Sequence, residues 1–421
     1  MKYEDLAYAL AEQQKKFEVE DEKPVNRELI EKVIRLLQLN MPVFITGVRR
    51  CGKSFLLHLI KEKLKLNGRQ YFYIDFNDER LTGFEVEDFQ KVIDFLNTEG
   101  YEKGCYLFID EIQEVSKWEK WIERIRGQHP IIITGSNSKL MSKEISSLLT
   151  GRSLNAGLTP FSFKEFLTAK GSSQEAWKSS LEARAKMKKA FSEFLATGGF
   201  PKRVISGEKI IVSELFENIL YRDVIGKFGK RLEKPIKEAS LYLLSNSGKN
   251  SSIRNISEAI GVKNQLAIKN ILNAFENAFL FFFIGKFDYS IKKQIQNPKK
   301  AYCIDNGFLT AVGFRFSEDK GRLLENFVAI ELKRRGQEIF YSKDRGECDF
   351  IIKEGIRVTG AMQVCYELSK DNKERELNGL LEAMNKFKLN EGIILTYDDE
   401  ETIQRDGKKI RIIPAWKWVL Q

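Results

Sequence analysis

Apolar side chains at Leu29, Ile30, Val33, Ile34, Leu36 and Leu37 recur at helical spacing between Asn26, which is placed to cap a helix, and Asn40. A short apolar strand follows from Pro42 to Thr46, then a glycine-bearing loop, then a helix from about Lys53 to Leu66. The alternation continues with a strand at Tyr71–Phe76, a helix near Val86–Leu96, a strand at Cys105–Ile109, a tryptophan-containing helix near Trp118–Arg126 and a strand at Ile131–Thr134. Strands alternating with helices predict an α/β fold with a parallel sheet and helices on both faces, extending to about residue 165.

From residue 166 to about 230 the pattern is mostly helical, broken by the turn Gly198-Gly199-Phe200-Pro201, and predicts a connector or lid. Between 231 and 315 it changes to three short helices (Ile236–Leu244, Ile253–Ile260, Asn264–Phe275) and two aromatic-rich strands (Phe279–Ile284, Ala301–Ile304) that form a hairpin. Three helices and a hairpin predict a winged helix, which contacts either DNA or a protein. Residues 316–421 begin with a helix at Leu323–Arg335. They continue with strands at Glu338–Tyr341, Cys348–Lys353, Arg357–Cys365 and Gly392–Thr396, with a helix at Glu374–Lys386, and predict a small α/β domain.

The longest apolar run, Ala278 to Ile284, is far shorter than the roughly 20 residues a membrane span needs, so no membrane association is expected. The first residues, MKYEDLAYALAEQQKKFE, carry acids as well as bases without an apolar centre, which predicts neither a secretion signal nor a transit peptide and points to the cytoplasm. Five cysteines fall singly among only two histidines, which argues against a disulfide framework and a zinc site. Lys and Arg outnumber Asp and Glu by 69 to 59, a balance compatible with a polyanionic partner such as DNA.

The chemistry centres on Gly47-Val48-Arg49-Arg50-Cys51-Gly52-Lys53-Ser54, which fits G-x-x-x-x-G-K-[ST] between a strand and a helix. Such a loop turns backbone N–H groups and a helix N-terminus toward the phosphates of ATP, with Lys53 on the β and γ phosphates and Ser54 on Mg2+. The buried strand Tyr106–Ile109 ends in Asp110-Glu111, which supplies a second Mg2+ acid and a base for the attacking water. After the strand at Ile131–Thr134 come Gly135-Ser136-Asn137, where Asn137 is expected to orient that water, with Ser136 as the alternative. Arg152, on the loop before Leu154–Leu158, is placed to act as an arginine finger in a neighbouring subunit's site, which would make the protein a homo-oligomer.

With these motifs, and with Leu158-Thr159-Pro160-Phe161-Ser162-Phe163-Lys164-Glu165-Phe166, the chain resembles the archaeal and bacterial AAA+ ATPases that carry a C-terminal winged helix and a nuclease-like domain. The likeness is closest over residues 30–205 and continues through Glu325; the resemblance implies a DNA-associated, defence-related or mobile-element ATPase. Residues 316–421 resemble the restriction-endonuclease-like nucleases. That resemblance implies a second metal site at Glu325, Asp349 and Gln363, with Cys365 where the family has lysine, so that weak or absent cleavage is expected. Three functions follow: an ATP-driven motor or switch on DNA, an ATP-gated nuclease, and a regulatory ATPase that docks a protein.

Overall fold

A computed structural model describes residues 1–18, 24–137, 153–229, 232–313 and 319–421. The chain divides into two compact units, Met1–Thr159 and Pro160–Gln421.

In the first unit five strands, β1 (Val43–Thr46), β2 (Tyr71–Asp75), β3 (Tyr106–Asp110), β4 (Ile131–Gly135) and β5 (Leu154–Gly157), form an all-parallel sheet in the order β2-β3-β4-β1-β5. Strands β1 to β4 are almost wholly apolar and buried, as a sheet covered on both faces requires. Helices Leu29–Leu37, Lys53–Leu64, Phe89–Thr98 and Trp118–Ile125 match the sequence periodicity. The first of them starts later than expected: Glu28 is its N-cap residue, not Asn26, and no side chain caps it.

The opening segment is a helix, Tyr3–Glu18, whose Leu6, Ala9 and Leu10 are buried in the same core as Phe72, Ile74 and Leu107. Its polar residues protect the sheet's edge. Gln13 donates to the carbonyl of Asp75 at 3.1 Å and accepts from its N–H at 2.9 Å, and Gln14 accepts from the N–H of Tyr73 at 3.0 Å. Two side-chain amides thus satisfy backbone groups that edge strand β2 would otherwise offer to another chain.

The second unit opens with helices Phe163–Ala169, Leu181–Thr197, Pro201–Ser206 and Ile210–Ile219. Helices Glu233–Ser245, Ile253–Ala259 and Gln265–Asn277 follow, the second capped by Ser252 and the third by Asn264. Strands β6 (Asn250–Ser251), β7 (Phe281–Gly285) and β8 (Lys299–Cys303) make an antiparallel sheet with β8 in the middle. The β7–β8 connection holds a helix, Ile291–Gln296, that the sequence pattern does not announce.

Helix Lys320–Arg334 leads into a six-stranded mixed sheet, ordered β13-β14-β12-β11-β10-β9. Its strands are β9 (Glu338–Lys343), β10 (Glu347–Glu354), β11 (Arg357–Val364), β12 (Glu391–Thr396), β13 (Glu401–Arg405) and β14 (Lys408–Pro414). The last two strands and the closing helix Ala415–Leu420 lie within 316–421 but are not announced by the sequence pattern. Among the described residues no helix is long and apolar enough to cross a membrane.

Candidate functional site

Strand order creates the site. β4 lies between β1, which feeds the glycine-bearing loop, and β3, which ends in Asp110. The carboxyl ends of three neighbouring parallel strands therefore deliver Gly47, Ser136 and Asp110-Glu111 to one edge, where ligands of open α/β sheets bind.

The loop's two glycines are required for different reasons. A Cβ on Gly47 would lie 2.1 Å from the carbonyl oxygen of Leu158, so the loop must start without a side chain. Gly52 has φ +99, a left-handed conformation costly for other residues, and from it the helix Lys53–Leu64 begins. Between them Val48 and Cys51 are fully buried, and the Cys51 thiol donates to the Leu158 carbonyl at 3.5 Å. Burial pushes that thiol's pKa up, which makes it a packing group. Arg49 and Arg50 complete the loop, with Arg50 at φ +62.

Lys53 is 5% exposed and curls over its own loop, donating to the carbonyls of Gly47 at 3.2 Å and Val48 at 3.4 Å. It also lies 3.5 Å from a carboxylate oxygen of Glu111. Ser54, at the exposed start of the helix, lies close enough to Asp110 to lower its pKa. Asp110 accepts bonds from the hydroxyls of Thr134 and, at 3.2 Å, Tyr73. Burial, reinforced by repulsion from Glu111, raises the Asp110 pKa against these donors. A divalent cation beside Ser54 and Asp110 would relieve that cost.

Glu111 sits in the left-handed region at φ +51, a conformation that costs a non-glycine residue about 1–3 kcal/mol and is common at functional sites. Its Oε2 accepts from the Ser136 backbone N–H at 3.0 Å and the Ser136 hydroxyl at 3.1 Å, and also from Gln113. Burial alone would raise its pKa; Lys53, Gln113 and Ser136 outweigh it and hold the group below the ordinary glutamate value. These donors favour the ionised carboxylate and fix its orientation.

Of the two residues considered for β4's tip, Ser136 engages Glu111, while half-buried Asn137 follows it. Arg152 lies outside the described residues. Sequence reasoning missed Arg27, which is 3% exposed and donates to the carbonyls of Cys51 at 2.9 Å and Thr159 at 2.7 Å, bracing the loop from behind. Its contacts are 24 and 132 residues away, and no local pattern carries them.

Glu325, Asp349 and Gln363, expected as a second metal site, lie in the C-terminal part of the second unit. The Gln363 amide oxygen accepts from the Asp349 N–H at 3.1 Å, and its nitrogen donates to Glu376 at 2.6 Å. Glu325 and Asp349 do converge, but on the ammonium of Lys300. Among the described residues, no group of three or more His, Cys, Asp or Glu side chains is arranged to hold a metal ion.

A family model described as an AAA domain matches residues 39–167, and one described as a domain of unknown function (DUF8612) matches residues 188–319. The chain is 37% identical to the uncharacterized protein MJ1544 of Methanocaldococcus jannaschii over 94% of this chain and 91% of that protein. It is 32% identical to an uncharacterized protein of Haemophilus influenzae over 94% of this chain and 99% of that one. Among solved structures, a Walker-type ATPase of Pyrococcus abyssi is similar at 14% identity and a TM-score of 0.41, over 68% of this chain and 95% of that one.

Proposed function

This chain belongs to one family with those archaeal and bacterial proteins, and we propose that it hydrolyses ATP as a switch acting on DNA. The observation that carries the ATPase reading is the convergence of Lys53, Ser54, Asp110, Glu111 and Ser136 at adjoining strand ends. In this reading the backbone of Gly47 to Ser54 cradles the phosphates of ATP, and Lys53 exchanges its loop carbonyls and Glu111 for phosphate oxygens. Ser54 and Asp110 would hold Mg2+, which neutralises phosphate charge when bound. Once Lys53 turns to the phosphates, Glu111 is held by Ser136 and Gln113 and accepts a proton from water. Arg152 completes the site from a neighbouring subunit in a homo-oligomer.

The DNA part of the reading rests on residues 231–315 taken as a winged helix. Its third helix, Gln265–Asn277, exposes Gln265, Leu266, Lys269, Asn270 and Asn273 on one side, a surface suited to a nucleic acid. Lys263 and Lys269 are exposed, while Arg254 spends its charge on Glu258 at 2.7 Å. Residues 166–230 serve as the connector and 316–421 as a nuclease-like domain used to bind.

The test is phosphate release from Mg·ATP by the full chain, with and without single-stranded and duplex DNA. Turnover stimulated by DNA, and less so as salt rises, is expected. Turnover indifferent to DNA at low salt would leave a protein-docking ATPase, and absence of turnover in oligomeric protein would remove the ATPase reading.

A further inference from the structure

Lys300 lies on β8, the middle strand of its small sheet, paired with Ile284 on β7 and Asn250 on β6. It is 1% exposed, among the most deeply buried charges described. Its ammonium lies 3.2 Å from Glu325 on helix Lys320–Arg334, and 2.8 Å and 2.9 Å from Glu347 and Asp349 on β10. It donates hydrogen bonds to Glu325 and Asp349 and pairs in charge with Glu347, so three carboxylates surround one ammonium.

The carboxylates are held in turn by neutral groups. The Tyr302 hydroxyl donates to Glu325 at 2.7 Å, and the Val364 N–H donates to Asp349 at 3.0 Å. Burial pushes the ammonium toward neutrality, but the attraction of Asp349, Glu325 and Glu347 outweighs it and keeps lysine charged. Three acids around one buried cation, with hydroxyl and amide support behind them, is the arrangement of a hard-cation site in which the cation is a side chain.

We propose that Lys300 is the resident cation of this cluster. Its ammonium takes the place a divalent ion would need, and the cluster ties the β7–β8 hairpin to the Lys320–Arg334 helix and the C-terminal sheet. The position left open at Cys365 is thus answered from a different strand, with a different outcome. A lysine enclosed by three acids, two of which it hydrogen-bonds, is a partner for them rather than for a phosphate, and it excludes the metal that phosphodiester cleavage in this pocket would use. The hairpin that carries the lysine thereby becomes part of the domain that carries the acids. The proposal does not depend on the ATPase reading.

The experiment is a Mn2+ titration of the full chain by electron paramagnetic resonance, with thermal melts in parallel, on wild type, Lys300→Met, Asp349→Asn and Lys300→Met/Asp349→Asn. ATP is left out, so that binding at the P-loop remains weak and equal in all four. Wild type and Asp349→Asn are expected to show the same Mn2+ occupancy. Lys300→Met should melt about 10 °C lower, as breaking a buried ion cluster implies. It should also bind one additional Mn2+ that raises its Tm, and the double variant should lose that ion. An ion bound by wild type and lost in Asp349→Asn would overturn the proposal, as would a Lys300→Met protein with wild-type Tm and no additional ion. If Lys300→Met does not fold without Mn2+, refolding with Mn2+ but not with K+ supports the proposal, and indifference to Mn2+ opposes it.

Discussion

Ser136 holds Glu111 with two donors, its backbone N–H at 3.0 Å and its hydroxyl at 3.1 Å, both on the same carboxylate oxygen. The pair joins the tip of β4 to the end of β3, so the Glu111 carboxylate is set by a neighbouring strand as well as by its own. Ser136→Ala removes the hydroxyl and keeps the N–H. Turnover should fall about tenfold, in line with losing one hydrogen bond to a charged group. Because that donor helps to lower the Glu111 pKa, the acid limb of the rate profile should move to higher pH. A profile identical to wild type would show that Ser136 does not tune the base.

Lys53→Ala and Glu111→Gln should fail differently. The lysine variant loses phosphate charge, and its ATP affinity should fall by about 10- to 100-fold, the range for a hydrogen bond to a charged group. The glutamine variant keeps the shape and gives up the proton acceptor. It should bind ATP at least as well as wild type while turnover drops by about 10²- to 10⁴-fold. Nucleotide titration and phosphate release separate the two, and wild-type turnover in Glu111→Gln would remove Glu111 from its role.

Arg27→Ala leaves the buried carbonyls of Cys51 and Thr159 without their guanidinium donors. Each loss costs about 1–3 kcal/mol when the acceptor stays buried, so the cost in stability should exceed that of an exposed arginine by several kcal/mol. Since Cys51 belongs to the phosphate loop, ATP affinity should weaken too. Arg27→Lys should recover only part of both, because a single ammonium does not span two carbonyls as a planar fork does. Urea melts and ATP titration measure the two effects, and an Arg27→Lys protein equal to wild type in both would refute the bracing role.

Asp305 gives a pH signature. It is 4% exposed, and its two oxygens accept from the N–H groups of Gly199 at 2.7 Å and Gly307 at 2.8 Å. Burial outweighs these donors and pushes its pKa up to about 7. A carboxyl whose folded pKa is raised contributes stability below its unfolded value, near 3.9, and loses it as pH rises through about 7. Asp305→Asn is neutral throughout and carries a pH-independent penalty for one lost acceptor. Wild type should therefore lose stability relative to Asp305→Asn between pH 5 and pH 8, by on the order of a few kcal/mol. Urea melts at both pH values measure it, and a constant gap would contradict the assignment.

Much of this protein is legible in its sequence because the signals are local. The alternation of apolar strands with amphipathic helices marks β1 to β4 of the first sheet, since a strand buried on both faces has to be apolar along its length. The phosphate loop is legible for a related reason: Gly52 and Lys53 act through backbone geometry and a short reach along one strand-loop-helix unit. The helix Tyr3–Glu18 and strands β13 and β14 are less legible, because their polar and apolar positions make sense only against the sheets they cover or extend.

What the tertiary structure decided is which distant side chains meet. Gly47 lacks a side chain because the Leu158 carbonyl, on the far side of β1, occupies the space. Ser136 rather than Asn137 engages Glu111 because the N–H and hydroxyl that follow β4 reach that carboxylate. Lys300 meets Asp349 across 49 positions of sequence, a pairing that the motif around Cys365 does not reveal. Hydrogen bonds and ion pairs act over about 3 Å of space whatever the separation along the chain, so composition and periodicity specify the elements while their packing chooses the partners.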